Sequence, residues 1–180
     1  MMQPGEMLEL LAEGERKAVA KSSFVAEQVI ENPVLMPHLI SLLTFENTTV
    51  VSHAAHALHT ISKAKLELLL QHSAALVGAL ASDQWEVQEQ LGKFLPKLSL
   101  DAEQQEHIWQ RFEDIFYNGT SSIARTCALQ AMVDMSNAFS AYRGKADIAI
   151  VYALEQGSKA MQARARNLIK NYEWISVNNI

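Results

Sequence analysis

The fold of this chain is decided by residues 50–61, whose sequence is VVSHAAHALHTI. Its apolar positions return at a constant interval of 37 residues, in 87–98 (VQEQLGKFLPKL), 124–135 (ARTCALQAMVDM) and 161–172 (MQARARNLIKNY). In each copy these positions stand at offsets 0, 4, 8 and 11, which lie on one side of a helix. A fixed period of about 20–50 residues is typical of repeat architectures. The sequence therefore predicts an all-α protein of repeated helical units.

The composition excludes several classes of protein. Hydrophobic residues make up 49% and charged residues 19% of the 180 residues, which suits a packed core and not a disordered chain. The formal net charge of −5 argues against a surface adapted throughout to nucleic acid, but it is compatible with a local basic groove. Cys127 is the only cysteine, so an internal disulfide is excluded. Because the sequence contains neither a secretory signal nor an apolar run of about 20 residues, we expect a cytoplasmic protein that does not enter membranes.

Each repeat is expected to contain two helices. The quoted copies predict second helices near 48–63, 84–99, 121–138 and 158–175, and the amphipathic stretches between them predict first helices near 36–45, 66–81, 102–117 and 145–156. Pro96 should kink the helix near 84–99. Candidate helix caps are Asn47, Asp83, Ser121 and Ser158, with a capping box at Asp101 and Gln104. Gly119, Gly144 and Gly157 are expected in the turns between helices, where helix ends favour residues that tolerate a positive φ.

The chain is expected to form a single domain, residues 1–180, in three parts. Residues 1–35 form an N-terminal cap with a helix near 14–31, residues 36–175 form four helix pairs, and residues 176–180 form a tail. The first part is out of register, because 37 residues before Val50 stands the charged Glu13. Terminal units of repeat proteins commonly depart from the pattern in this way.

These repeats resemble HEAT repeats. The second helix of that family commonly opens with a Val-Arg pair, followed by a small residue four positions after the Val and a Leu eight positions after it. Val50, Ala54 and Leu58 fit this spacing, Arg125 matches the family arginine, and Asp83 matches the aspartate of the loop between helices. The resemblance implies an α-α superhelix (solenoid) of about four HEAT-like repeats plus an N-terminal capping helix, with the second helices lining a concave surface. It does not identify a function, because one fold serves many functions.

On such a concave surface, the residues opposite the apolar stripe would face solvent. These positions and their flanks include Ser52, His53, Thr60, Glu89, Gln90, Pro96, Thr126, Val133 and Asn137. The predicted partner-binding residues are His56, His59, Lys63, Lys93, Lys97, Gln130, Asp134, Arg164, Asn167, Lys170 and Trp174. Their cations outnumber the acids Glu89 and Asp134, so the surface is expected to be mildly basic.

The sequence shows little sign of reactive chemistry. His53, His56 and His59 follow at steps of three, but no Asp, Glu or Cys joins them locally and such steps drift around a helix, so we expect surface histidines and no metal site. Cys127 is expected to be a packed, unreactive thiol. The sequence contains no nucleophile elbow, P-loop, zinc-protease motif or dinucleotide fingerprint. We therefore expect no enzyme activity and no cofactor.

These features favour a scaffold that binds an acidic protein or peptide segment along the mildly basic concave surface. The alternative is nucleic-acid binding, including the base excision of HEAT-like DNA alkylation-repair glycosylases, for which Asp134 and Trp174 are the candidate residues. A third interpretation, a lyase or chaperone for a linear tetrapyrrole, rests on the resemblance alone. Oligomerisation through Phe139, Tyr142 and Trp174 is also left open.

Overall fold

The protein consists of helices joined by short turns. A computed structural model describes residues 2–176, and within that range the chain forms eleven α-helices and no strand, which confirms the all-α prediction. The helices are α1 (Pro4–Ala12), α2 (Ser22–Glu31), α3 (Met36–Ser41), α4 (Thr48–Ala64), α5 (Glu67–Leu70), α6 (Ser73–Ala79), α7 (Trp85–Gly92), α8 (Ala102–Asn118), α9 (Ser122–Ala138), α10 (Arg143–Gln156) and α11 (Lys159–Asn171). Of the predicted tail, residues 177–180 lie outside the described residues.

The helices formed by the four sequence copies, α4, α7, α9 and α11, pack side by side in chain order. α3 packs on α4, α8 on α9 and α10 on α11, while α6 contacts α8 and the 3₁₀ turn Leu95–Lys97. The apolar stripe of each copy is buried in one shared core, and only Ile169 and Tyr172, at its C-terminal end, are half-buried. Removing this apolar surface from water is the main contribution to the stability of the packing.

Most predicted helix bounds agree with the structure to within one or two residues, as in α4, α8 and α9. The helix predicted near 158–175 ends earlier, at Asn171. The backbone leaves the helical region at Tyr172, whose φ is −126° and ψ is 103°. This change of direction lets Ile175 pack into the core, where it is 1% exposed.

The helix near 84–99 was expected to kink at Pro96, and this prediction is wrong. α7 ends at Gly92, and a 3₁₀ turn, Leu95–Lys97, follows. Proline has no N–H to donate to the carbonyl four residues before it, and its ring crowds the preceding turn. Leu95 and Leu98 are nevertheless buried, so the apolar stripe continues through the turn.

The helix predicted near 66–81 is also broken, into α5 and α6. The backbone N–H of His72 donates to the carbonyl of Leu69, three residues earlier, at 3.0 Å. The tighter turn changes the helix direction at a point where Leu69 and Leu76, on either side of it, are both fully buried.

The N-terminal cap contains two helices where one was predicted. Residues 13–21 form turns between α1 and α2, and Gly14, at a φ of 84°, leads the chain out of α1. The predicted helix near 14–31 does not include α1. Met7 and Leu11, which stand four residues apart on α1, are fully buried. α1 packs on both α2 and α4.

Helix caps follow the prediction where a side-chain oxygen faces the first turn. Asn47, Ser121 and Ser158 each accept a backbone N–H, and Asp101 and Gln104 form the capping box. Asp83 is not a cap: Gln84 holds that position, and Asp83 pairs with Arg111 at 3.1 Å.

The predicted positive φ angles at three glycines are wrong, because Gly144 lies within α10 and the φ angles of Gly119 and Gly157 are −61° and −75°. A Cβ at Gly157 would lie 2.3 Å from the carbonyl oxygen of Ala153, so close packing requires this glycine.

Candidate functional site

The predicted partner-binding residues lie along the row of α4, α7, α9 and α11, and we call this set the polar face. Its exposed members are Lys63, Lys97, Asn167 and Lys170. Its half-buried members are His56, His59, Lys93, Gln130, Asp134 and Arg164. The predicted member Trp174 follows the end of α11 and is described separately below.

Hydrogen bonds connect the polar face between α9 and α11. Arg164 Nη1 donates to Gln130 Oε1 at 2.9 Å, and Gln130 Nε2 donates to Asp134 Oδ1 at 2.9 Å. The hydroxyl of Tyr172 donates to the same oxygen of Asp134 at 2.5 Å. Burial, followed by this bond to Asp134, raises the pKa of Tyr172 to about 12, so its hydroxyl stays a donor. Asp134 is thus held by two donors in a fixed position.

Lys93 is the central cation of the polar face. Its ammonium donates to Glu89 Oε1 at 2.9 Å and to Gln90 Oε1 at 3.2 Å, both on α7, which ends at the residue before it. Its charge also acts on the neighbouring helices, because it contributes to the lowered pKa values of His56 and His59 on α4.

The histidines of the polar face are neutral at neutral pH. Partial burial is the largest cause that lowers the pKa of His59, to about 4, and the charges of Lys93 and Lys63 lower it further. Burial also lowers the pKa of His56, although the carboxylate of Glu89 opposes the shift. The positive charge of this region therefore comes from the lysines and arginine alone.

Cys127 lies on α9 beside the polar face and is half-buried. Burial, and then the charge of Glu89, raise the pKa of its thiol above the ordinary value, so the thiol is protonated at neutral pH. A nucleophilic cysteine requires the opposite shift. The environment thus favours the expected unreactive thiol.

Several positions expected to face solvent are instead buried. They are Ser52, His53, Gln90, Pro96, Thr126 and Val133. The second helices contact neighbours on both sides, so their buried surface is wider than the four-position stripe. Ser52 and His53 are covered for a different reason, since the N-terminal segment crosses them.

This N-terminal segment, residues 12–21, is called the strap. Ser52 Oγ donates to the carbonyl of Arg16 at 2.7 Å, and the ring nitrogens of His53 lie 2.9 and 3.0 Å from the carbonyl oxygens of Leu11 and Glu15. Arg16 Nε lies 2.9 Å from Oε1 of the buried Glu86 on α7. Neither Arg16 nor Glu86 was identified from the sequence. The 37-residue pattern could not reveal Arg16, because the strap belongs to no copy of the repeat, and without the strap nothing in the sequence distinguishes Glu86 from a surface carboxylate.

Trp174, a candidate for nucleic-acid binding, and Tyr142, a candidate for oligomerisation, both pack against other side chains of the protein. The Arg143 guanidinium lies 5.3 Å from the centre of the Trp174 ring, and Tyr172 meets that ring edge-on at 6.2 Å. Tyr142 stacks on the buried Trp109 with ring centres 4.7 Å apart. A cavity of about 430 Å³ opens beside Asp134, and its other polar or aromatic lining includes Lys97, Asn137, Phe139 and Tyr172.

Within residues 2–176, no group of three or more His, Cys, Asp or Glu side chains is arranged to hold a metal ion. Both ring nitrogens of His53 face backbone carbonyls, which removes this residue from the predicted histidine series. Across the same range, no helix has the length and apolar character needed to cross a membrane. Comparisons with protein-family models, curated proteins and solved structures found no match to this chain.

Proposed function

We propose that this protein is a non-enzymatic binding module of the cytoplasm, a HEAT-like solenoid that holds an acidic segment of a protein partner along the polar face. The 37-residue repeat and the chain-order packing of α4, α7, α9 and α11 support the solenoid. Residues 36–175 are its four helix pairs, and α1 and α2 cap its N-terminal end. The main support for an acidic partner is the group of lysines around the neutral His59.

Charge complementarity is the physical basis of the proposal. Lys63 and Lys97 are exposed, and both act with Lys93 on His59, so the three ammonium groups surround one region of the polar face. Each exposed pair that they form with a carboxylate contributes roughly 0.2–1 kcal/mol, and several together also steer and speed association. Because the chain as a whole carries a net charge of −5, a local excess of cations is a specific feature of this face.

The polar face also offers a place for an apolar side chain. The cavity beside Asp134 is lined partly by Phe139 and Tyr172 and lies next to Lys97. Interfaces commonly combine a buried anchor with a charged rim. A partner segment with an apolar residue among its acids would satisfy both parts of this surface.

The test uses a fluorescently labelled decaglutamate peptide and the full-length protein. We expect saturable binding at low salt, weakened by about two- to thirtyfold in the double variant Lys63→Gln, Lys97→Gln, because two of the charges are lost. The matched control is Lys145→Gln on α10, which removes a lysine from outside the polar face.

Absence of peptide binding to the wild type, or equal weakening by the control, would reject the proposal. Labelled duplex and single-stranded DNA of equal charge serve as competitors. If DNA binds more tightly than the peptide and its binding depends on Lys63 and Lys97, the face serves nucleic acid and the proposal is wrong.

A further inference from the structure

The strap is held to the helical body through its backbone as well as through a charged side chain. Its backbone carbonyls at Glu15 and Arg16 meet side chains of His53 and Ser52 at 3.0 and 2.7 Å. Its one partly buried side chain, Arg16, reaches toward the carboxylate of Glu86. Main-chain contacts of this kind supply affinity and a charged side-chain contact supplies specificity.

Glu86 is the unusual member of this site. Its side chain is 1% exposed, yet within the described residues 2–176 neither carboxylate oxygen receives a hydrogen bond. Arg16 Nε lies 2.9 Å from Oε1, but its N–H does not point at that oxygen, and the arginine side chain remains 39% exposed. A buried carboxylate with unfilled acceptor positions is costly. A guanidinium that donates two parallel N–H bonds is the group that fits both oxygens best.

The strap itself is weakly held. Every residue from Ala12 to Lys21 is exposed except Arg16, which is half-buried, and the large apolar side chain of Val19 is 50% exposed. On either side of the strap, by contrast, Leu11 and Val25 are fully buried. Segments with few buried apolar contacts open at low free-energy cost while the flanking helices stay folded.

We propose that Ser52, His53 and Glu86 form a binding site for an arginine-bearing polypeptide segment, and that the strap is its resident and displaceable occupant. An incoming arginine fills both oxygens of Glu86, whereas Arg16 donates a hydrogen bond to neither. The site is distinct from the lysines of the polar face and selects the opposite charge. Its test is therefore independent of the decaglutamate experiment.

The test measures binding of a labelled peptide with the sequence of residues 11–21 to full-length variants. Arg16→Ala removes the side chain by which the resident strap competes, so we expect it to bind the peptide at least about tenfold more tightly than the wild type. The matched control is Lys17→Ala, the exposed neighbouring cation, which should bind as the wild type does. A peptide with citrulline in place of arginine, or the double variant Arg16→Ala, Glu86→Gln, should lose the gain.

Equal binding to Arg16→Ala and Lys17→Ala, or equal binding of the arginine and citrulline peptides, would overturn the proposal. A second measurement needs no variant. A ¹³C-labelled arginine peptide in excess should speed amide hydrogen exchange of residues 12–21 in the wild type several-fold, whereas the citrulline peptide should not. Unchanged exchange with the arginine peptide would also overturn it.

Discussion

His53 and His59 stand six residues apart on α4 in opposite surroundings. The ring of His53 is fully buried, with a backbone carbonyl 2.9 or 3.0 Å from each nitrogen. His59 is half-buried next to lysines, and its neutral form is favoured. Position in the packing, and not residue type, decides what each histidine does.

The lowered pKa of His59 makes the stability of the fold depend on pH. The unfolded chain takes up this proton near its ordinary pKa of 6.5, whereas the folded protein takes it up only near pH 4. The unfolded state therefore binds more protons between these values, and the free energy of unfolding should fall as the pH falls from 6.5 to 4. His59→Gln should make this fall shallower in urea titrations across that range, while His107→Gln, at an exposed position on α8, should not.

An NMR titration measures the pKa of His59 directly and so separates its effect on stability from that of other titrating groups. The imidazole resonances of His59 in an NMR titration should show a midpoint near 4. Lys93→Met should raise that midpoint only in part, because burial is the larger cause and Lys93 the next. A midpoint at the ordinary value in the wild type would contradict the described environment.

At the scale of the helix, the ends are set by local hydrogen bonds. Asp101 accepts the N–H of Gln104 at 2.8 Å, and the side chain of Gln104 accepts the N–H of Asp101 at 3.2 Å. α7, by comparison, begins at Trp85, and the side chain of its N-cap residue Gln84 makes no capping hydrogen bond. The two helices therefore differ in how firmly their first turns are held.

Asp101→Ala should lower the free energy of unfolding by about 1 kcal/mol, since the side-chain oxygen that accepts the N–H of Gln104 is lost. Asp83→Ala is the matched control, because its side chain is fully exposed and pairs with Arg111 at the surface. Its cost should be below about 0.5 kcal/mol. Urea denaturation of the two variants measures both values, and equal costs would contradict the assignment of caps.

Helices with both a periodic stripe and a capping side chain could be predicted from sequence almost to the residue, as α4, α8 and α9 demonstrate. Errors arose where packing overrode a local pattern. The sequence predicts a kink at Pro96 because the apolar spacing continues through it, but spacing alone cannot distinguish a kinked helix from a helix followed by a turn that buries the same residues. α1 was missed because it follows no repeat.

At the scale of the whole molecule, α7 and α9 are each packed between two other helices of the row. α7 contacts α4 on one side and α9 on the other, and Leu91 is fully buried in the middle of this arrangement. A helix packed in this way depends for its stability on the apolar surface that it buries against both neighbours. A defect in one helix should therefore be felt by its neighbours.

Leu91→Ala should lower the free energy of unfolding by about 2–5 kcal/mol, through lost burial and the cavity left behind. Amide hydrogen exchange should become faster in α4 and α9 as well as in α7. Leu70→Ala on α5 is the control, because Leu70 is 41% exposed and its loss should leave exchange in these helices unchanged. Faster exchange confined to α7 would argue against coupled packing.

The candidate site could be predicted from sequence only in part, and the reason is again spatial. Helical spacing placed His59, Lys93 and Asp134 on one row of helices, since periodicity determines which residues share a face. It could not locate the strap, because the side chains of α4 contact backbone carbonyls there. Any residue type supplies a backbone carbonyl, so such a contact leaves no pattern in the sequence. It also could not identify Tyr172 as a partner of Asp134, because the two residues stand 38 positions apart in different copies.

The positions of the tryptophans have a consequence for spectroscopy. Trp85, Trp109 and Trp174 are the three tryptophans, so the chain before residue 85 contains no indole group. Trp109 is buried against Tyr142, and Trp174 lies beneath Arg143. Indole fluorescence therefore observes the C-terminal half of the molecule, while far-ultraviolet circular dichroism observes all of it. If the melting curves from the two signals superimpose, the N-terminal half, which contains no tryptophan, unfolds together with the C-terminal half.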